Sequence, residues 1–537
     1  MAPAPSAMAA ARPRVGVHFP LQLDGSVSTT KTLKAVWCAA ALAAGQPDLA
    51  AAIDREKAWR HRYTRHVVAL AAAMAASREC SLAGAIAGLA ELDAALELVP
   101  PAGPLATAPS PIPLYRTVRE RTAQGPSQVY GAVAVCCGGS PCAPAAALPG
   151  VDPLALFAGW AAFGVCEPSA LSAAQRSAGA SAKELQPLLD RHVFVCLGGT
   201  SEMCPLKMLL ALGATCVAIA RPGYKLQALI QYARGEGEAH AGAAKLEAGS
   251  RPAPPAGTLI VPVPIASAAT GETDGAGCDM LGDPCEIAAW LAHLDQEKIL
   301  VLGAYGYLDG SDHVRLTAAM DALITSVVEA RPAGRTAVAY LPSPSTATPV
   351  PVEANAAAAA AYEAAGTFSL RSLRTPNARA PVRSTDGRGD VFVCDGLITL
   401  QGPSYALAKT AQQWRASVLA AEGRCAKVSS LMAPAARTES MAHVTTVATA
   451  FNGLEFFAPL RVATVSVASF AMCLLLLDDL SQPQSDFATV GHTRSAVHGG
   501  GWRCAFTAES IGWSAYVLGW LGYKAPPIPD APLASAP

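Results

Sequence analysis

The chain has 537 residues, with 40 lysines and arginines against 41 aspartates and glutamates, so its formal net charge is −1. This balance argues against binding nucleic acid or an anionic membrane through bulk charge. Hydrophobic residues make up 52% of the chain, which excludes a disordered protein. At roughly 100–200 residues per domain, the length predicts two or three structural units.

The cysteines indicate neither a disulfide framework nor a metal site. There are 15 of them, scattered and odd in number, and no Cys-x-x-Cys occurs. This pattern is typical of reduced thiols that pack as small apolar side chains. The tightest group, Cys136, Cys137 and Cys142, has no further Cys or His at zinc spacing, and the spacing of His492 and His498 fits no metal pattern either. We therefore predict that the protein binds no metal.

The cellular location of the protein is predicted from its apolar runs and from its N-terminal segment. The longest apolar run, 463–477, is shorter than the roughly 18 residues that a spanning helix needs, which predicts no membrane span. A cytoplasmic protein is the default expectation. Arg12 and Arg14 precede the first acidic residue, Asp24, in an alanine-rich start, so targeting to an organelle is the alternative.

Composition and periodicity divide the chain into four parts. We expect an irregular leader at 1–25, a mostly helical N-terminal region at 26–190, an α/β domain at 191–445 and a C-terminal substrate or cap region at 446–537. The N-terminal region is predicted to hold helices at 49–77 and 82–98, with His61 and His66 on a solvated basic face, and a proline-rich linker at 100–113. Residues 344–388, which include an alanine run, are predicted to form a flexible or partly helical insertion.

From residue 191 onward, short β-rich runs alternate with helical periods. This alternation predicts a Rossmann-type, doubly wound parallel sheet. The predicted elements are strands at 192–197, 215–220, 259–263, 298–302, 336–341 and 426–431, and helices at 203–212, 284–294, 314–330 and 405–421.

The turn after the first of these strands contains Gly198 and Gly199. Backbone N–H groups at the start of a helix favour an anionic phosphate, although a tight turn without a ligand is the alternative. Arg221 directly follows the second strand, where a cation can meet a ribose 2′-phosphate. The alternative for Arg221 is an ordinary surface arginine.

Tyr405 and Lys409 are four residues apart on a predicted helix, so that the phenol and the ammonium share one face. A phenol titrates near 10, which is too high for efficient acid–base chemistry at neutral pH. A neighbouring ammonium stabilises the phenolate and is expected to lower the pKa of Tyr405, which would make it a proton donor to a carbonyl.

The order of motifs over residues 191–445 resembles the short-chain dehydrogenase/reductase family. The matching segments are 195–203 (glycine-rich first turn), 212–221 (helix end and second strand), 278–286 (acidic segment), 299–306 (fourth strand), 336–343 (fifth strand with its serine), Tyr405 with Lys409, and 428–438 (sixth strand and the segment beside the nicotinamide).

This resemblance implies an NAD(P)-dependent oxidoreductase that transfers a hydride between nicotinamide and the carbonyl or alcohol of a small, hydrophobic substrate. Tyr405 would donate the proton, Lys409 would lower its pKa and hold the ribose, and Ser343 (or, as the alternative, Ser345) would polarise the substrate oxygen. NADP (or NAD) would contact Gly198, Gly199, Thr200, Ser201, Arg221, Asp279, Ala304, Pro434 and Thr438, with Arg221 favouring NADP. The oligomeric state stays open.

The sequence also departs from the family pattern. Glu202 and Cys204 stand where the family has glycines, and Gly303–Gly306 replaces its Asn-Ala-Gly. A carboxylate at Glu202 would repel a pyrophosphate unless the side chain turned away. The alternative hypothesis is therefore a catalytically silent binding or scaffold protein, as a subunit of a larger assembly.

Overall fold

The computed structural model describes residues 15–21, 26–100, 110–236, 251–366, 371–442, 444–484, 492 and 495–528. Most of the expected leader, including Arg12 and Arg14, and most of the expected linker lie outside the described residues. The strands are β1 (Gly16–His18), β2 (Glu97–Val99), β3 (Ile112–Pro113), β4 (Tyr130–Cys136), β5 (His192–Leu197), β6 (Thr215–Ile219), β7 (Thr258–Pro264), β8 (Ile299–Ala304), β9 (Thr336–Tyr340), β10 (Ala347–Val350), β11 (Val382–Arg383), β12 (Asp390–Asp395) and β13 (Lys427–Ser430).

The helices of the N-terminal half are α1 (Thr29–Ala43), α2 (Pro47–Arg55), α3 (Trp59–Ala75), α4 (Arg78–Ala94), α5 (Leu114–Ala123), α6 (Pro153–Phe163), α7 (Pro168–Gly179), α8 (Ala182–Arg191), α9 (Leu206–Ala211) and α10 (Tyr224–Ala233). Those that follow are α11 (Ile265–Thr270), α12 (Pro284–His293), α13 (Gly310–Ala330), α14 (Val352–Ala364), α15 (Gly402–Glu422), α16 (Glu439–Ala442), α17 (Thr445–Leu454), α18 (Val465–Ser481) and α19 (Ala508–Trp520). No helix in the described part of the chain combines the length and the apolar character that crossing a bilayer requires.

A seven-stranded sheet organises the molecule, with the strand order β13-β9-β8-β5-β6-β7-β4. All neighbouring pairs are parallel except β4 with β7. The six parallel strands, counted along the chain, therefore lie in the order sixth, fifth, fourth, first, second, third. The expected α/β class with a largely parallel sheet is confirmed.

The central strands send alternate side chains into two hydrophobic cores, as the two-residue period of a strand requires. Val193, Val195 and Leu197 of β5 enter one core, and Phe194 and Cys196 enter the other. The first core is covered by α12, α13 and α15, outside which α1, α3, α4 and α5 pack. Helices from both ends of the chain cover the second core, among them α7, α9 and α18.

The N-terminal region is less helical and less separate than expected. β4 forms the antiparallel edge of the main sheet, and β1, inside the expected leader, pairs with β2. The expected helix at 49–77 is broken between α2 and α3, and the one at 82–98 ends at Ala94. His66 is buried and stacks on Trp59, so its predicted solvent exposure was wrong, whereas His61 is exposed as predicted.

The insertion predicted at 344–388 is folded in its described residues. β10 and β11 flank β12 in a small antiparallel sheet, which packs on α3. The alanine run lies in α14. The sequence did not predict this small sheet, because β10 and β11 are only four and two residues long. The third strand, β12, lies beyond the expected end of the insertion at residue 388.

The N-terminal region also holds the start of α15. The guanidinium of Arg60 donates to the carbonyls of Thr399 and Leu400, at 2.6 and 3.2 Å. The hydroxyl of Tyr63 donates to the carbonyl of Ile398 at 3.0 Å. Gly402 then begins the helix with φ +86°, in the left-handed region that favours glycine. Helix α3 thus fixes the loop from which the predicted catalytic helix departs.

Candidate active site

Ser343 and Tyr405 meet where β9 ends. Ser343 lies three residues beyond Tyr340, the last residue of β9, and Tyr405 lies in the first turn of α15. The hydroxyl of Ser343 lies close enough to that of Tyr405 to favour the phenolate and so to lower its pKa. The oxygen of Ser343 also accepts the N–H of Ser345 at 3.2 Å, which orients it. Of the two candidate serines, Ser343 is therefore the one that influences the pKa of Tyr405.

Lys409 is anchored to the same strand end. Its Nζ donates to the carbonyl of Leu341 at 3.2 Å and lies 3.5 Å from Oε1 of Gln412. Burial lowers the pKa of Lys409 to about 8, because the charged ammonium loses hydration. The amine is therefore still mostly protonated at pH 7.

The pKa of Tyr405 departs from expectation. Burial raises it, and the nearby hydroxyl of Ser343 opposes the rise by favouring the phenolate. The predicted lowering by Lys409 is wrong: its amine bonds to the carbonyl of Leu341 and is not among the groups that shift the pKa of Tyr405. Tyr405 is thus a protonated phenol at neutral pH, which suits a proton donor better than a base.

His313 belongs to this cluster and was missed in the sequence. It lies in the first turn of α13, and its ring stacks on Tyr405 with centroids 5.8 Å apart and planes 24° apart. The ring of Tyr307 lies 4.8 Å from the His313 ring, between centroids. A single histidine at the start of a helix carries no motif, so only the fold could place it beside Tyr405.

The imidazole of His313 is buried and neutral. Neither ring nitrogen has a hydrogen-bond partner among the described residues, and the residue is 1% exposed. Burial and, after it, the positive charge of Lys409 hold the pKa of His313 well below its ordinary value. His313 is therefore held by the packing of its ring against Tyr405 and Tyr307 and not by hydrogen bonds.

The glycine turn after β5 is shaped by close backbone contacts. Gly198 has φ +93°, and a Cβ there would come within 2.6 Å of the backbone of Gly306. A Cβ on Gly199 would come within 2.9 Å of Ala218. The N–H groups of both glycines donate to the carbonyl of Ile219, at 2.9 and 3.0 Å. The close approach alone accounts for both glycines, and their predicted contact with a phosphate stays a prediction.

Glu202 reaches across to the segment that follows β13. Its carboxylate accepts the backbone N–H of Glu439 at 2.8 Å, and Glu439 in turn pairs with Lys225 at 3.0 Å. Burial, together with the charge of Glu439, raises the pKa of Glu202 against the opposing effect of that N–H. The carboxylate therefore turns towards the loop beyond β13 and binds a backbone donor there.

Most of the other predicted cofactor residues lie at or after the ends of strands of the sheet, and Asp279 lies in the loop between α11 and α12. Arg221 is exposed beyond β6, and Ala304 is buried at the end of β8. A carboxylate oxygen of Asp279 accepts the N–H of Leu281 at 3.0 Å, which stabilises its own turn. The remaining residues are buried or partly buried: Thr200, Ser201, Pro434 and Thr438. Because the strands are parallel, their carboxyl ends, and hence these residues, share one edge of the sheet.

The His, Cys, Asp and Glu side chains were also compared with the arrangements that hold metal ions. In the stretches of chain that the structure describes, no group of three or more His, Cys, Asp or Glu side chains is arranged to hold a metal ion. His498 contacts the carboxylate of Glu167 at 3.0 Å, and His492 the carbonyl of Pro349 at 3.1 Å. Both histidines take part in protein contacts.

Comparison with protein-family models, with curated proteins and with solved structures gives no match to this chain. The resemblance to short-chain dehydrogenases therefore stays a prediction from the order of motifs. Any function has to be argued from the cluster of Ser343, Tyr405, Lys409 and His313 and from the sheet that carries it.

Proposed function

We propose that this protein is an NAD(P)-dependent oxidoreductase that transfers a hydride between nicotinamide and a carbonyl or alcohol. The observation that carries the proposal is the meeting of Ser343, Tyr405 and Lys409 at the end of β9. Two neighbouring hydroxyl groups, with a buried ammonium one helical turn further along α15, are suited to protonating a substrate oxygen. The three residues come from two segments that are about 60 residues apart, so their meeting is a property of the fold.

The strand order supports a dinucleotide-binding sheet. The order third, second, first, fourth, fifth, sixth is that of Rossmann-type doubly wound folds, in which ligands bind at the carboxyl ends of the strands where the order reverses. In this chain the reversal lies between β5 and β8. Gly198 follows β5 and Ala304 ends β8, so both predicted cofactor residues stand at that point.

The residues present fit the 2′-phosphate and the ribose of the cofactor better than its pyrophosphate. Arg221 is an exposed cation beyond β6, where a 2′-phosphate would be held, and Lys409 offers an ammonium for the ribose. Glu202 fits a pyrophosphate poorly, because it brings negative charge to the glycine turn. We therefore expect NADP to bind through its 2′-phosphate and ribose, with modest affinity.

Bound NAD(P) would supply or accept the hydride. For reduction, Tyr405 donates its proton to the carbonyl oxygen of the substrate, and the hydroxyl of Ser343 donates a hydrogen bond to the same oxygen. The ammonium of Lys409 stabilises the phenolate that this leaves on Tyr405. Reduction thus requires a protonated Tyr405 and a charged Lys409, the forms that both groups have at neutral pH.

The proposal is tested with purified full-length protein and NADPH or NADH. We expect NADPH to bind and its oxidation to depend on an added carbonyl substrate. Tyr405→Phe should abolish turnover and leave NADPH binding intact, whereas the control Tyr307→Phe, which keeps its ring beside His313, should retain activity. Turnover retained by Tyr405→Phe would refute the role of the phenol.

A second function, a catalytically silent scaffold, is favoured by one contact. Glu202 bonds the glycine turn to the backbone of Glu439, across the place that a pyrophosphate would take. If this contact persists, the carboxylate of Glu202 keeps a pyrophosphate away from the glycine turn. The protein would then serve as a binding subunit. Absence of NADPH and NADH binding at millimolar concentration, in calorimetry, would favour this function over the enzyme.

A further inference from the structure

A cavity of about 50 Å³ lies between the N-terminal helices and the catalytic helix. Its lining residues belong to α1, α3, α4, β10 and α15, so the cavity lies between the outer helices and α15 of the α/β unit. Leu70 and Met74 of α3 supply part of its apolar wall. Tyr405 and Lys409 do not line it, although they belong to the same helix, and so it is distinct from the site described above.

Four of the polar side chains that line this cavity each have one nitrogen or oxygen atom without a hydrogen-bond partner. They are Trp37, Thr348, Thr410 and Gln413, which are 1%, 1%, 7% and 5% exposed. Within the described residues, the indole N–H, the two hydroxyl groups and the amide nitrogen make no hydrogen bond. An unpaired buried polar group costs roughly 1–3 kcal/mol, so four around one space indicate that something occupies it.

The chemistry of the lining selects the occupant. The indole nitrogen of Trp37 and the amide nitrogen of Gln413 can only donate, and the hydroxyls of Thr348 and Thr410 can donate or accept. The complementary molecule must therefore present acceptor oxygen. The lining includes no charged side chain, so a charged ligand would be buried without a counter-charge. The cavity volume of about 50 Å³ exceeds the roughly 10–15 Å³ that a single water needs. It is about a third of the volume of a cavity that binds benzene, which is about 150 Å³.

We propose that this cavity is a binding site for a small uncharged carbonyl compound or alcohol, whose oxygen accepts hydrogen bonds from Trp37 and Gln413. Thr348 and Thr410 complete its hydrogen bonds, and Leu70 and Met74 contact its carbon atoms. The ligand joins the outer helical layer to α15, because Trp37 belongs to α1 and Gln413 to α15. This inference is independent of the dehydrogenase chemistry.

The first test uses acetamide as the probe and full-length protein. We expect acetamide to raise the Tm of the wild type in a concentration-dependent way, by at least about 1 °C more than that of the variant Thr348→Val/Thr410→Val. The control Thr122→Val removes a buried hydroxyl far from the cavity and should respond like the wild type. Equal shifts in all three proteins would overturn the proposal.

A direct structural observation complements the thermal test. A crystal structure of the wild type soaked in acetamide should show the amide oxygen beside Trp37 Nε1 and Gln413 Nε2. Ordered water alone in that density would also contradict the proposal.

Discussion

The imidazole of His313 lies against the phenol of Tyr405, with 5.8 Å between ring centroids and 24° between ring planes. The contact joins the first turns of α13 and α15, which begin near the carboxyl ends of β8 and β9. Both nitrogens of His313 are buried and lack partners among the described residues, so the ring contacts Tyr405 through packing alone.

The variant His313→Phe separates packing from proton handling. Phenylalanine keeps an aromatic ring against Tyr405 and removes two unpaired polar atoms, so we expect an unfolding free energy that is about 1 kcal/mol higher. Turnover with NADPH should fall at least about tenfold, because a hydrogen-bonding group beside the phenol is lost. Thermal unfolding and initial rates measure the two effects. A variant that is both less stable and fully active would contradict this role.

Lys409→Met is expected to stabilise the protein while abolishing turnover. The folded-state pKa of about 8 is below the ordinary 10.5, so the buried charge destabilises the folded state in full below pH 8 and not at all above 10.5. The gain on substitution should therefore be about 1–3 kcal/mol at neutral pH and should vanish above pH 10.5.

Chemical unfolding across this pH range measures the effect of Lys409→Met. The exposed Lys183 provides the control, and Lys183→Met should change stability by less than about 0.5 kcal/mol. A gain that did not depend on pH would show that the methionine side chain, and not the removed charge, is responsible.

Glu202→Gln tests whether the carboxylate limits cofactor binding. The amide oxygen of glutamine can still accept the N–H of Glu439, so the contact persists while the negative charge disappears. We expect the Kd for NADPH to fall by about tenfold, since repulsion of the phosphates is relieved. The exposed Glu236→Gln serves as the charge control for calorimetric titration. Unchanged affinity would show that Glu202 does not face the phosphates.

Glu167 joins the segment between α6 and α7 to the C-terminal region. Its carboxylate receives two bonds from Arg503, at 3.0 and 2.7 Å, and one from His498. Burial raises the pKa of Glu167, but these bonds outweigh burial and lower the pKa to about 2. The stabilisation is therefore complete above pH 4.5 and is lost as the pH falls from 4.5 towards 2.

We accordingly expect Glu167→Gln to cost about 3–5 kcal/mol at neutral pH, because it leaves Arg503 partly buried without its charge partner. The difference from the wild type should shrink on acidification through this range. Glu120→Gln removes the exposed ion pair with Arg116 and should cost less than about 0.5 kcal/mol. Urea unfolding between neutral pH and pH 3 measures both, and a constant difference would contradict the assigned pKa.

The elements that the sequence predicted best are those of the sheet. The runs at 192–197, 215–220 and 336–341 match β5, β6 and β9 to within a residue, because they are buried and rich in β-branched or small apolar residues. β4 was not assigned to the sheet. It pairs with β7 from a distance of more than 120 residues along the chain, and local patterns carry no information about such a partner.

Part of the candidate cluster could be placed from the sequence. Spacing put Tyr405 and Lys409 on one helix and Ser343 just after a strand, where the structure has them, whereas their catalytic roles stay predictions. The pKa of Tyr405 and the presence of His313 could not be predicted, because both depend on burial and on the packing of α13 against α15. The buried contacts of His66 escaped prediction for the same reason: charged neighbours along the chain suggested solvent, and the packing on Trp59 is visible only in three dimensions.

β4 lies along β7 over the seven positions from Tyr130 to Cys136, although it precedes the first parallel strand in the chain. An expression fragment cut at residue 191 would lose this cover and leave the backbone groups of β7 open to strands of other molecules. Such a fragment should aggregate, and its failure would say nothing about whether the whole chain has the proposed activity. Assays of this protein therefore need the polypeptide with its first half attached.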